Sequence, residues 1–141
     1  LHIFKKDFEL SDIKVHFKSA LKYPLIKCYP IQIEQILINV ISNSIHILKD
    51  HLPYGEGEIN LFTSIRNGKF FLSIHNNGPH LNQDEKIKIF EPFYTNKKDS
   101  KGTGLGLTIC YQLISSLGGN IQAENTEPQG VVFKINLPEG S

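Results

Sequence analysis

The run Ile33, Ile36, Leu37, Val40, Ile41, Ser44, Ile45 and Leu48 constrains this chain more than any other feature. Residues recurring at three and four occupy one stripe of an α-helix. Pro30 stands where such a helix can begin, since its missing N–H would have no helical partner there. The outcome is a helix of about five turns whose apolar face must be covered by a second layer. The covering layer is legible as alternation. Within an extended stretch from Phe8 to Cys28, Ile13, Val15 and Phe17 alternate with Lys14, His16 and Lys18, the period of a half-buried strand. A second short strand is expected over residues 25–28. Two more strands, over residues 58–65 and 69–75, flank Asn67-Gly68, a dipeptide suited to a two-residue hairpin turn with positive φ.

Residues 51–57 carry Pro53, Gly55 and Gly57 and read as a loop. A short helix is expected over residues 83–90, then a polar, lysine-rich surface loop to Thr103. Helical spacing returns over residues 104–117, Gly118-Gly119 ends it, and residues 120–125 and 131–137 read as a last pair of strands. Hairpins interleaved with helices predict an α/β (α+β) two-layer sandwich: a mixed, mainly antiparallel sheet with about three helices on one face. A chain of 141 residues suffices for one such domain.

The formal charge of +1 provides no field that argues for nucleic acid or a membrane surface. Cys28 and Cys110 are the two cysteines and lack a CxxC spacing, so neither a disulfide framework nor a zinc site is indicated; reduced thiols in the cytoplasm are expected. No apolar run approaches the roughly 18 residues of a membrane span, and the fragment is expected to be soluble.

Two clusters carry chemistry. Asn39 and Asn43 lie one turn apart on one helix face. By themselves they fit either a solvated face or a pair of neutral oxygen ligands beside a hydrated Mg²⁺. Gly102, Gly104 and Gly106 alternate immediately before the helical pattern of residues 104–117. That arrangement fits a flexible turn, or a phosphate cradle in which glycines let the backbone approach and the first helical amides point at the anion.

The order of the motifs goes further. Asn39-Val40-Ile41-Ser42-Asn43, Asn76-Asn77-Gly78-Pro79, Phe90-Glu91-Pro92-Phe93-Tyr94-Thr95 and Gly102-Thr103-Gly104-Leu105-Gly106-Leu107 closely resemble, in sequence order, the N box, first glycine box, F box and second glycine box of sensor histidine kinases. That family shares its ATPase fold, the Bergerat fold of the GHKL superfamily, with gyrase, chaperone and mismatch-repair ATPases. The resemblance runs from about Phe8 to Pro138.

It implies a catalytic domain that binds Mg-ATP and passes the γ-phosphoryl group to a histidine on a separate helical dimerisation domain, upstream of a response regulator. Asn43 matches the Mg²⁺-binding asparagine, and Asn39 its catalytic partner. ATP-hydrolysing relatives carry a water-activating glutamate at the position of Asn39. An amide has no basicity at neutral pH, and Glu34 lies about 140° round the helix from Asn39, so a kinase that protects ATP is implied. His46 falls where a phosphate-reaching residue is common. Lys97, Lys98 and Lys101 fall in the ATP lid, Phe93 and Tyr94 match the aromatics that pack the lid, and Lys101 through Leu107 (Gly102, Thr103, Gly104, Leu105, Gly106) match the phosphate loop. Asn76 and Gly78 match the adenine-binding box.

Departures from the pattern leave a second function open, a degenerate module that senses nucleotide or contacts a partner without kinase activity. Asn76 replaces the usual aspartate of the first glycine box, His80 its second glycine, and Val131 and Val132 stand where threonines are common. Asn76 is expected to weaken adenine binding and to relax discrimination between ATP and GTP. None of His2, His16, His46, His51, His75 and His80 is followed by an acidic residue, as acceptor histidines of the family are, so acceptor and sensor domains are expected outside these residues.

Overall fold

The structure, a computed structural model, describes residues 12–19, 30–92 and 106–138. Among these residues five strands, β1 (Lys14–Ser19), β2 (Glu58–Arg66), β3 (Lys69–Asn76), β4 (Asn120–Asn125) and β5 (Val131–Pro138), form one sheet in the order β1-β2-β3-β5-β4. β1 runs parallel to β2, and the other three pairings are antiparallel. The sheet is therefore mixed and mainly antiparallel, as the alternation predicts. Asn67 and Gly68 take φ of 51° and 74°, the left-handed conformations a tight hairpin requires.

Among the described residues three helices accompany the sheet: α1 (Pro30–His51), α2 (Gln83–Lys88) and α3 (Gly106–Ser116). Ile36, Val40, Ile41, Ile45 and Leu48 of α1 join Leu107, Cys110 and Ile114 of α3 above the inner sheet face, and all are buried with Ile59, Leu61, Leu72, Ile74, Phe133 and Ile135 in one core. At 22 residues α1 is about six turns long, a turn more than its apolar stripe indicates. Its added end carries the basic residues Lys49 and His51, and the Lys49 cation is favoured at a helix C-terminus. α3 ends in a Schellman motif: the Gly119 N–H donates to the Ile114 carbonyl at 2.9 Å, and Gly118 N–H to Ser115 at 3.0 Å. α2 differs from the other two helices, because it buries none of its own residues. Ile89 and Phe90, just beyond it, attach it to the core, Phe90 lying edge-on to Phe133 at 6.5 Å between ring centroids.

The strand expected over residues 25–28, Cys28, and the lysine-rich loop with Phe93, Tyr94, Lys97, Lys98 and Lys101 lie outside the described residues, as do Gly102, Thr103, Gly104 and Leu105.

Candidate functional site

A cavity of about 230 Å³ opens where the ends of these elements meet. One wall is α1, which contributes Asn43, Ile47 and His51, each one turn beyond the last. The segment after β3 contributes Asn76, Pro79, His80 and Leu81, the α2 side Glu85 and Ile89, the first turn of α3 Leu107, and β5 Val131 and Phe133. An apolar slot with a few polar groups at its edge suits a flat, hydrophobic ring that carries hydrogen-bonding atoms.

Asn76 stands at the base of this cavity. It is the last residue of β3, 2% exposed, and is paired in register with Val131 of β5. The Gly78 N–H donates to Asn76 Oδ1 at 3.0 Å, while Asn76 Nδ2 points to the hydroxyl of the fully buried Ser44 at 3.4 Å. Gly78 is a glycine for reasons of space: a Cβ there would stand 2.9 Å from both Asn76 Oδ1 and Ile47 Cγ2. Asn77 anchors the same segment from the other side, accepting from the Glu58 N–H at 2.7 Å and donating to the Glu56 carbonyl at 2.8 Å.

The β4–β5 turn closes over this segment. Asn125 pairs with both backbone groups of Leu81, each at 2.8 Å. Gln129 donates to the Asn77 carbonyl at 2.7 Å, and the His80 ring donates through Nε2 to the Thr126 carbonyl at 2.6 Å. His75 Nε2 lies 2.9 Å from Thr126 Oγ1. Burial holds the His75 pKa below its ordinary value, partly opposed by the Glu58 carboxylate. His80 thus stands in the cavity wall with one ring nitrogen already engaged.

Beyond the cavity, Asn39 Nδ2 is buried without a hydrogen-bond partner among the described residues. Its Oδ1 lies 3.9 Å from where a side chain on Gly106 would begin. The end of the second glycine cluster therefore abuts the first asparagine. Thr108 Oγ1 donates to the Phe90 carbonyl at 3.0 Å, tying the start of α3 to the end of the α2 segment.

Of the residues singled out from sequence, Asn43, Asn76 and Leu107 line the cavity, Gly78 shapes it, and Asn39 and Gly106 meet beside it. His46 does not line the cavity, and it already has an interaction partner. Sequence reasoning missed Ile47 and His51, although they continue the stripe of Asn39 and Asn43 at four-residue spacing, and it assigned no role to Leu81 or Glu85. Among the described residues no group of three or more His, Cys, Asp or Glu side chains could hold a metal.

Residues 28–141 match the family described as histidine kinase-, DNA gyrase B-, and HSP90-like ATPase. Sporulation kinase E of Bacillus subtilis (strain 168) is 33% identical over 132 residues, covering 92% of this chain and 17% of that kinase, so the chain spans about a sixth of this relative. The catalytic domain of histidine kinase ThkA, in a nucleotide-free form, superposes with a TM-score of 0.83 at 32% identity, over 98% of this chain and 86% of that one. ThkA in complex with the response regulator protein TrrA matches with a TM-score of 0.78 at 30% identity, over 99% of this chain and 38% of that one. The chain belongs to the histidine kinase-, DNA gyrase B-, and HSP90-like ATPase family, in the form that sensor histidine kinases carry as their catalytic, ATP-binding domain.

Proposed function

We propose that this domain holds Mg-ATP in the cavity and presents its γ-phosphoryl group to a histidine on a separate helical dimerisation domain of the same kinase, in the cytoplasm. The observation that carries the reading is the meeting of Asn39 with Gly106. A buried N–H without an acceptor is costly, and the oxygen of the same Asn39 amide faces Gly106, the first residue of an 11-residue helix, where unsatisfied amides attract anions. A phosphate oxygen would satisfy both. The purine then falls in the apolar slot between Ile47, Leu81 and Phe133.

Asn43 is the residue that would hold Mg²⁺, through an uncharged oxygen of the kind this ion accepts alongside phosphate and water. When bound, the ion offsets negative charge on the phosphates. The chain's own contribution to transfer is positioning and electrostatics. The acceptor imidazole nitrogen attacks the γ-phosphorus, the bond to the β–γ bridging oxygen breaks, and ADP leaves. Asn39 cannot take a proton from water, which keeps bound ATP for that histidine. Lys101 and the glycines of residues 102–106 would complete the phosphate site, and Phe93 and Tyr94 would pack the lid. A response regulator as downstream partner is supported by the ThkA–TrrA complex. Among the described residues no helix is long and apolar enough to cross a membrane.

The test is transfer in trans. With radiolabelled Mg-ATP the domain should label the helical histidine domain of its own kinase and carry no acid-labile label itself. Asn43→Ala should weaken Mg²⁺-dependent ATP binding by roughly tenfold or more, the loss of one charge-assisted contact. Equal ATP binding with and without Mg²⁺ in the natural chain would remove the metal assignment. ATP binding without transfer would favour the nucleotide-sensing module instead, the reading to which Asn76 and His80 point.

A further inference from the structure

We infer that Thr108 is a positioning residue for phosphoryl transfer: its hydroxyl fixes the first turn of α3, and with it the helical amides that would meet the phosphates. The inference rests on the proposed function and adds to it a residue outside the cavity. Thr108 is 6% exposed and does not line the cavity, so it acts through its neighbours Gly106 and Leu107. Leu107, Cys110 and Ile114 seat α3 on the core by apolar contact, which is non-directional. A hydrogen bond fixes both distance and angle. Thr108 supplies one, its Oγ1 donating to the Phe90 carbonyl at 3.0 Å.

The far end of that bond is itself held. The Phe90 ring lies 5.7 Å from that of Tyr111, which stands three residues past Thr108 on the same face of α3, and it is edge-on to Phe133 at 6.5 Å. α3 thus grips Phe90 by its carbonyl and by its ring, and Phe133 is a wall of the cavity. At the other end, α3 begins at Gly106, and Asn39 Oδ1 is 3.9 Å from where a side chain there would start. The Thr108 bond therefore sets the first turn of α3 against both Asn39 and the cavity wall. Amides at a helix N-terminus act on an anion in the direction they point, and displacing a positioned group by about 1 Å can cost on the order of 100-fold in rate. The slot contacts of Ile47 and Leu81 come from α1 and from the segment after β3, which this bond does not join. Its loss should fall on the transfer step more than on ATP binding.

Substitutions at this position separate the hydroxyl from size. Thr108→Ser keeps the hydroxyl on a smaller side chain, Thr108→Ala removes it, and Thr108→Val removes it at nearly constant volume. Transfer from radiolabelled Mg-ATP to the helical histidine domain of the same kinase is followed at varied ATP, with the natural chain as reference. Thr108→Ala and Thr108→Val should lower kcat about tenfold or more while KM changes less than about threefold, and Thr108→Ser should keep kcat within about threefold of the natural value. Sorting by volume instead, with Thr108→Val near the natural rate and Thr108→Ser and Thr108→Ala both impaired, would overturn the inference. An unchanged kcat in Thr108→Ala and Thr108→Val, or a rise in KM alone, overturns it as well. These two variants test the same bond independently, so if circular dichroism shows one to be unfolded, the other decides. Absence of transfer by the natural chain would overturn the proposed function together with this inference, and is thereby distinguishable from its failure alone.

Discussion

Thr126 fixes the hydrogen-bonding roles of two histidines. Its hydroxyl donates to the Gln129 carbonyl at 3.0 Å, so it has only a lone pair for His75 Nε2, and its own carbonyl can only accept from His80 Nε2. Both rings donate, and that role survives protonation. What protonation costs at His75 is burial of charge, the cause of its lowered pKa. The folded state holds neutral His75 more tightly than the unfolded chain does. Its contribution is therefore complete above the ordinary histidine value of about 6.5, declines as pH falls below it, and levels off beneath the folded value. Thermal melts from pH 8 to pH 5 should show this decline, and His75→Gln should flatten it. An identical pH profile in the variant would mean that other groups govern the acid side. The sequence marks His80 as a departure, but its anchor is 46 residues away, and no local pattern encodes a pairing at that distance.

Among the elements, α2 depends most on its ends. Six residues with none buried fall far below the length at which a helix sustains itself. It is held by a capping box, Asn82 Oδ1 accepting from the Glu85 N–H at 2.8 Å and Glu85 Oε1 from the Asn82 N–H at 2.9 Å. Lys88 and Asp84 add a 3.0 Å pair that is exposed to solvent and contributes little. Asn82→Ala should cost about 1 kcal/mol, felt locally, so that amide exchange across residues 83–88 quickens roughly fivefold while that of β3 and β5 stays unchanged. Uniform acceleration would show α2 to be coupled to the core more tightly than its exposure indicates. Elements with strong local periodicity were the legible ones: the α1 stripe, the alternation through Ile59 and Leu61, and the turn at Asn67-Gly68. The parallel pairing of β1 with β2 and the placement of β5 between β3 and β4 were not, because strand order depends on contacts far apart in sequence.

Across the whole molecule, Cys110 lies where both helical walls and the sheet converge. It is fully buried, and burial pushes its thiol pKa up to about 12, so it is inert while the core is closed. In a Cys28→Ser background, Cys110 should react with a thiol reagent only at the rate of global opening, and the same urea midpoint should be read by reactivity and by circular dichroism. Rapid labelling under native conditions would refute the packing of α3. The candidate site was partly legible at this scale: the sequence marks Asn43, Asn76 and the glycine cluster. Ile47, Leu81 and Phe133 carry no site signal of their own in the sequence, and only the fold brings them to one slot. That slot draws on β5, the last of the described strands, and on the segment after β3 that the turn before β5 holds. As the polypeptide emerges from a ribosome, α1 and the β2–β3 hairpin can form early, but the slot lacks one wall until Val131 and Phe133 have followed. On the proposed function, a nascent chain stalled before Val131 would carry both asparagines and the first glycine box yet remain blind to ATP, and the domain would gain its ligand only once β5 is made.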